Sequence, residues 1–308
     1  MSFDLESLAS MALFARVVQA RSFTAAAAQS GIAKSAVSRR IAGLEQRLGV
    51  ELLRRSTRKL ALTDEGLRFY EHCKRILEAA SAAEDAVSAA SEVIRGRIRI
   101  SAPVTFARMY LVQALAVFLR EHPEVEIDLV LDDRFVDVIE GGFDLILRIG
   151  RLKDASFVAR RIATDRIVVV AAPSYLERAG TPQMPEDLVN HNCLRYTLVP
   201  ASGEWRFRDE AIPVHGNLSV NDGAALVQAA IAGLGLVVIP MFMVASDVAA
   251  GRLALVLEAY RRGEIGIHAV TAQGKGLPRR TRALLDFLSK WFDDRCWEAL
   301  REKASHTV

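Results

Sequence analysis

Residues 22–49 read SFTAAAAQSGIAKSAVSRRIAGLEQRLG. An Ala-rich segment suited to a helix breaks at Ser30-Gly31, and a second segment starts near Lys34. In the second, Val37, Ile41, Leu44 and Leu48 recur at steps of three and four, so one face is apolar. Serines and arginines occupy the opposite face. Two short helices joined by a tight Gly-containing turn, the second basic outside and apolar inside, form the pattern of a DNA-reading helix-turn-helix.

Working outward, Leu8, Met11, Phe14 and Val17-Val18 make one helical stripe and predict a first helix over 5–20. Thr24 is read as the N-cap of the second helix, its hydroxyl accepting an otherwise unpaired backbone N–H. Gly49 is a favourable stop for the third helix. VELLRRSTRKLAL (50–62) reads as two short strands around a cationic tip, a wing that can reach phosphates or a minor groove. Thr63 then caps a long helix running to about 92. Its apolar or small residues Leu67, Tyr70, Cys73, Leu77, Ala80, Ala83, Val87 and Ala90 step by three or four. Such a stripe fits a dimerisation seam or packing on the helix's own domain.

Charge supports a polyanion partner. The whole chain of 308 residues carries only +3, but 34–59 holds eight basic residues against Glu45 and Glu51. Beyond residue 95, 26 basic residues balance 26 acidic ones, so the footprint sits in the head. The three cysteines, Cys73, Cys193 and Cys296, are far apart and form no CxxC, which argues for reduced thiols over a disulfide framework or zinc site; a redox-sensing pair stays open. No apolar leader is visible at the N-terminus, and Gly223–Ser246 is too interrupted by Gly and Pro for a spanning helix. A cytoplasmic protein with no membrane partner is the expectation.

From Gly96 strands and helices alternate: strands at 97–101, 126–131, 144–149, 166–172, 218–220, 236–240 and 265–272, and more around 204–214. Helices are expected at 105–121, 134–141, 174–179, 185–190, 222–233 and 278–301. Alternation of this kind implies mainly parallel sheets covered on both faces, here in two runs and hence two lobes.

Base reading needs side chains on the exposed N-terminal half of the recognition helix, where Lys34, Ser35, Ser38 and Arg39 stand. Arg39 can bond bidentately to guanine. Arg40 and Arg47 point further round, toward phosphates or solvent, Arg54, Arg55 and Arg58 arm the wing, and Thr24 at the start of the second helix is also expected among the DNA-binding residues.

On these residues the chain resembles the LysR-type transcriptional regulators. The resemblance rests on AVSRRI, then LE, RLGV and L.R, and the LT..G that opens the long helix, with GLGLVVIP and GRLALVL behind it. It departs at Ala33, where a capping Ser is common, and at Lys34, where Gln is common. The resemblance implies an α/β protein in three parts. These are a winged helix-turn-helix at 5–63, a linker helix at 64–92 and a two-lobed, periplasmic-binding-protein-like effector domain at 96–303. Lobe I is about 96–162 with 266–303, and lobe II about 163–265. It implies double-stranded operator DNA and a small-molecule effector as partners, a homodimer through the linker helix that pairs into a homotetramer, and RNA polymerase as a further contact.

For the effector, Ser101, Pro103, Val104, Thr105 and Phe106 join a strand end to a helix N-terminus that attracts a carboxylate. Asn221 is the corresponding junction in the second lobe, with Asp222 read as a helix cap. Arg148 fits either a ligand acid or a structural ion pair, and Phe106 and Tyr196 either pocket walls or core. Asp132-Asp133 and Asp293-Asp294 read as solvated surface charges. Two other classes are weaker. A transport-type binding protein would not need the basic head. An enzyme would need a catalytic constellation: Gly233-Leu234-Gly235 precedes a strand where a dinucleotide loop would follow one, Gly274-Lys275-Gly276 lacks the phosphate-loop spacing, and no G-x-S-x-G occurs. The six histidines show no metal-ligand spacing, so no metal or other cofactor is expected.

Overall fold

The computed structural model describes residues 5–20, 22–55, 60–87, 93–134, 142–150, 158–199, 203–208, 210–260, 263–271 and 277–292. The chain forms two compact units, one built on Met1–Glu92 and the other on Val93–Gly274 with Arg280–Val308.

The first unit contains α1 (Leu5–Ala20), α2 (Phe23–Ser30), α3 (Lys34–Leu48), β1 (Leu53–Arg55), β2 (Leu60–Leu62) and α4 (Asp64–Val87). Gly31 and Gly49 end α2 and α3 in the left-handed region, at φ 64° and 72°, where a Cβ would be strained. Phe14, Val37, Ile41, Leu44, Leu52 and Tyr70 meet in one core and are essentially inaccessible. Each side chain so buried contributes about 1.5–3 kcal/mol. Two expectations change here. The α2 cap is Ser22, whose hydroxyl accepts from the Ala25 N–H at 3.2 Å, and Thr24 lies inside the helix, exposed. Ser22 has the extended backbone that a cap needs; Thr24 does not. In α4, Tyr70 and Cys73 belong to the head's own core and Leu77 packs against it, so this part of the stripe is not a seam. Leu67 alone of the first four is exposed, at 42%.

The second unit is built on a nine-stranded sheet. Its strands and helices in chain order are β3 (Gly96–Ala102), α5 (Val104–Phe106), α6 (Val112–Glu121), β4 (Val125–Leu131), β5 (Leu145–Ile149), β6 (Val158–Ala171) and α7 (Pro173–Ala179). There follow β7 (Cys193–Tyr196), β8 (Glu204–Arg206), β9 (Ala211–Pro213), β10 (Ser219–Val220), α8 (Gly223–Ile231), β11 (Leu236–Pro240), α9 (Met241–Ala249), β12 (Ala254–Val256), β13 (Glu264–Thr271) and α10 (Arg279–Trp291). A wider helical turn, Ala107–Leu111, joins α5 to α6, and Pro185–Asn190 is a tighter one than an α-helix. β8 and β9 pair apart from the main sheet.

β4, β3 and β5 run parallel, as do β10, β7 and β11. Between these two sets lie β6 and β13, antiparallel to their neighbours. The sheet is therefore mixed where mainly parallel pairing was expected. β6 joins the halves: Val158 to Arg166 pair with β13, and Ile167 to Val170 pair with β11. The expected helix at 134–141 lies, save for Arg134, outside the described residues, as do the residues of the last helix beyond 292, Cys296 and Asp293-Asp294.

Candidate nucleic-acid interface and ligand site

The outer face of α3 is set by what its inner face buries. With Val37, Ile41 and Leu44 in the core, Lys34, Ser35, Arg39 and Arg40 are exposed and Ser38 is half-buried at their edge. Ala33 precedes the helix without a side-chain cap, leaving first-turn N–H groups available to an anion such as a phosphate. β1 pairs with β2 in the register Leu53–Leu62, Arg54–Ala61 and Arg55–Leu60, and Arg54 is exposed. Arg58 lies outside the described residues.

The wing is fixed at both ends of its stem. One oxygen of Glu45, on α3, accepts from the Leu52 and Leu53 N–H groups at 2.9 and 3.0 Å. The Leu52 carbonyl accepts from the Thr63 N–H at 3.0 Å, and the Thr63 hydroxyl donates to the Glu51 carbonyl at 2.7 Å. That hydroxyl also accepts from the Gly66 N–H at 2.9 Å, capping α4 as expected. A Cβ on Gly66 would collide with the Leu52 carbonyl, which is the physical reason for Gly in LT..G. In the sequence Glu45 stands only as an acid among the cations and as part of the LE of the resemblance, with no role of its own. Its role depends on a contact across seven residues that no local pattern announces.

In the second unit Ser101, the last residue but one of β3, is wholly buried, with no hydrogen-bond partner for its hydroxyl among the described residues. Pro103 precedes α5 in extended conformation, and Thr105 is half-buried. The helix start is not free for a ligand carboxylate at Val104: Asp133 accepts from the Val104 N–H at 2.9 Å. Asp222 does the same for α8, accepting from Ala225 N–H at 2.8 Å, with exposed Asn221 before it.

These carboxylates are coupled to other expected site residues. Burial pushes the Asp133 carboxyl up, and Asp222 and Asp132 add to the rise against the Val104 hydrogen bond. Burial, then Asp133 and Asp222, push the half-buried Tyr196 phenol up to about 12. Burial pulls the Arg148 guanidinium down while Asp132 and Asp133 hold it up, and it donates to the Leu147 carbonyl at 3.1 Å. So Arg148, Tyr196, Asp132, Asp133 and Asp222 share one electrostatic neighbourhood drawn from both halves of the sheet. Asp132 and Asp133, read as surface charges, are half-buried members of it. Phe106 fits the core reading of its two alternatives. It is fully buried between Phe242, edge-on at 5.7 Å, and Phe292 at 5.4 Å, while Tyr110 donates to the Phe242 carbonyl at 3.0 Å. Cys73 and Cys193 are buried, which pushes both thiols up to about 12, far from a reactive thiolate.

Known proteins resemble this chain in sequence and fold. A family model described as bacterial regulatory helix-turn-helix protein, lysR family, matches residues 8–67, and one described as LysR substrate binding domain matches residues 91–293. The chain belongs to the LysR family. It is 34% identical over 296 residues to the probable HTH-type transcriptional regulator LtrA of Klebsiella pneumoniae, covering 93% of this chain and 95% of that one. It resembles the solved structure of CrgA, a LysR-type transcriptional regulator from Neisseria meningitidis, at TM-score 0.61 and 32% identity over 95% of this chain and 100% of that one. A full-length OxyR variant from Pseudomonas aeruginosa shares the fold at TM-score 0.74, with 16% identity over 96% of this chain and 97% of that one. This LysR-type protein is thus a transcriptional regulator with a helix-turn-helix DNA-binding head and a substrate-binding effector domain. Its LysR relatives are regulators, not enzymes. No helix among the described residues is long and apolar enough to cross a membrane.

Proposed function

We propose that this regulator reads an operator of imperfect two-fold symmetry and changes transcription when a small molecule occupies the effector domain between its lobes. The observation that carries the reading is the anchored, cation-bearing face of α3 beside a clamped wing. Lys34, Ser35, Ser38 and Arg39 read bases; Arg40, Arg54, Arg55 and Arg58 hold phosphates. Two heads paired through the linker helix would meet successive major-groove turns, about 34–36 Å apart.

In this reading the head spans 5–63, the linker 64–92 and the effector domain 96–303. Lobe I takes 96–162 with 266–303, and lobe II takes 163–265. The effector meets Arg148 and Tyr196, with Ser101 and Asn221 at the strand–helix junctions. Exposed Leu67 and the later part of the linker helix supply the dimer seam, two dimers form a tetramer, and RNA polymerase is the partner through which the cytoplasmic complex acts.

The test is fluorescence anisotropy on the DNA immediately upstream of the regulator's own gene, against scrambled DNA of equal length. A specificity ratio of about 10³ or more is expected. A ratio near one on every genomic fragment would sink the operator reading.

A further inference from the structure

We propose that Glu45 is a positioning residue for DNA binding: it holds the wing's cations in register with the recognition helix. The inference rests on the head being the DNA-binding unit. Glu45 is a carboxylate kept among eight cations in the segment 34–59. By charge alone it opposes a polyanion. Its geometry supplies the compensating reason. One carboxylate oxygen takes the two successive N–H groups that begin the wing strand. Those groups face α3, while on the other side the Leu52 carbonyl is held by Thr63 and Leu53 pairs with Leu62. Arg54 follows immediately, exposed and paired with Ala61. Only Gly49 to Leu52 separate the end of α3 from β1, so the Glu45 contact fixes the angle at which the wing leaves the helix. A charged acceptor makes a stronger hydrogen bond than a neutral one, which suits a single side chain holding two donors.

Positioning and charge predict opposite signs, and that makes the proposal testable on the full-length chain with a random-sequence duplex as the probe. If Glu45 acts only through charge, Glu45→Ala removes a repulsion and binding tightens. If it positions the wing, Glu45→Ala weakens binding despite the lost repulsion. The slope of log K against log salt then falls by about 1 per protomer, the change expected for one phosphate contact. Arg54→Ala in the Glu45→Ala background should add little, because the contact is already lost. Glu45→Gln keeps an acceptor in place and should bind as the parent or slightly tighter. Glu45→Asp keeps the charge but is a methylene short, and should lose affinity like Glu45→Ala. A thermal melt shows that each variant is folded at the assay temperature. Should Glu45→Ala not fold, Glu45→Asp decides. Unchanged or tighter binding by the folded Ala or Asp variant, with a parental salt slope, would overturn the proposal. Failure of the parent protein to bind any duplex would instead count against the head's DNA-binding role.

Discussion

On the proposed reading, Arg39 and Arg54 would present the same guanidinium to different parts of DNA. Arg39 is exposed on the N-terminal half of α3, where base edges are read, while Arg54 lies on the wing strand. Arg39→Ala is expected to weaken operator binding by about 1–3 kcal/mol and relax base preference at one position. Arg54→Ala should weaken operator and scrambled DNA equally. Competition anisotropy on both duplexes separates them, and equal losses for Arg39→Ala would make it a phosphate contact. His191 is expected to add acid sensitivity. The Tyr175 hydroxyl accepts from the Asn192 N–H at 2.9 Å and stands 3.1 Å from His191 Nδ1, a contact in which either group can donate according to the imidazole tautomer. Burial pulls the His191 pKa below its ordinary 6.5, against Asp187, which raises it. The unfolded imidazole takes up a proton first as pH falls. The His191 contribution to stability is therefore flat above about 6.5 and declines below it, until the folded ring also protonates. Thermal midpoints between pH 7.5 and 5.5 should fall, and His191→Gln should make that fall shallower. His268, lowered by burial and Arg161, leaves a remainder. An identical fall in the variant would clear His191 of the effect.

Between elements, the start of α4 meets the wing base closely at Gly66. Gly66→Ala places a methyl against the Leu52 carbonyl, a backbone atom that cannot rotate away. The expected cost is about 1–3 kcal/mol, read as a lower urea midpoint at unchanged slope. Unchanged stability would mean that α4 and the wing base shift apart freely. Such contacts explain which elements could be read from sequence. α2, α3 and the opening of α4 follow from period, glycine and hydroxyl placement, all of them local. The Thr24 reading missed by two residues because Ser22 and Thr24 are both good caps, and backbone conformation chooses between them. The linker stripe had two readings because one apolar period serves an internal core or a partner equally. Burial of Tyr70 and Cys73 settles that part for the core. The first half of β6 begins with Val158 to Arg161, exposed and partly cationic, so it carries no alternation signal; pairing with β13 makes it a strand. Asp133 looked like surface charge because its partner, the Val104 N–H, is 29 residues away.

At the scale of the molecule, charge and fold divide the labour. The effector part, residues 96–308, carries balanced charge on a mixed sheet spanned by β6, and its aromatic cluster at Phe106, Tyr110 and Phe242 ties α5 and the following turn to α9. Such a unit can respond to a ligand yet contributes little to non-specific attraction for DNA. By charge, attraction is expected of the heads, and its salt dependence should count them. If Arg40, Arg54, Arg55 and Arg58 each neutralise one phosphate, a dimer neutralises roughly eight, and log K against log salt should fall with a slope near about −7. A single engaged head would give a slope of roughly half that. The measurement thus reports on the wing cations and the paired heads together, and adding Leu67→Glu separates the two. That substitution places a charge on an exposed apolar residue of α4 and leaves the cations of α3 and the wing unchanged. If Leu67 lies in the dimer seam, sedimentation should show dissociation, and the salt slope should drop toward the one-head value at protein concentrations below the new dimer constant. A slope near zero for the parent protein would overturn the basic-footprint argument. A parental slope in a demonstrably monomeric Leu67→Glu variant would mean that one head carries all the phosphate contacts assigned to two.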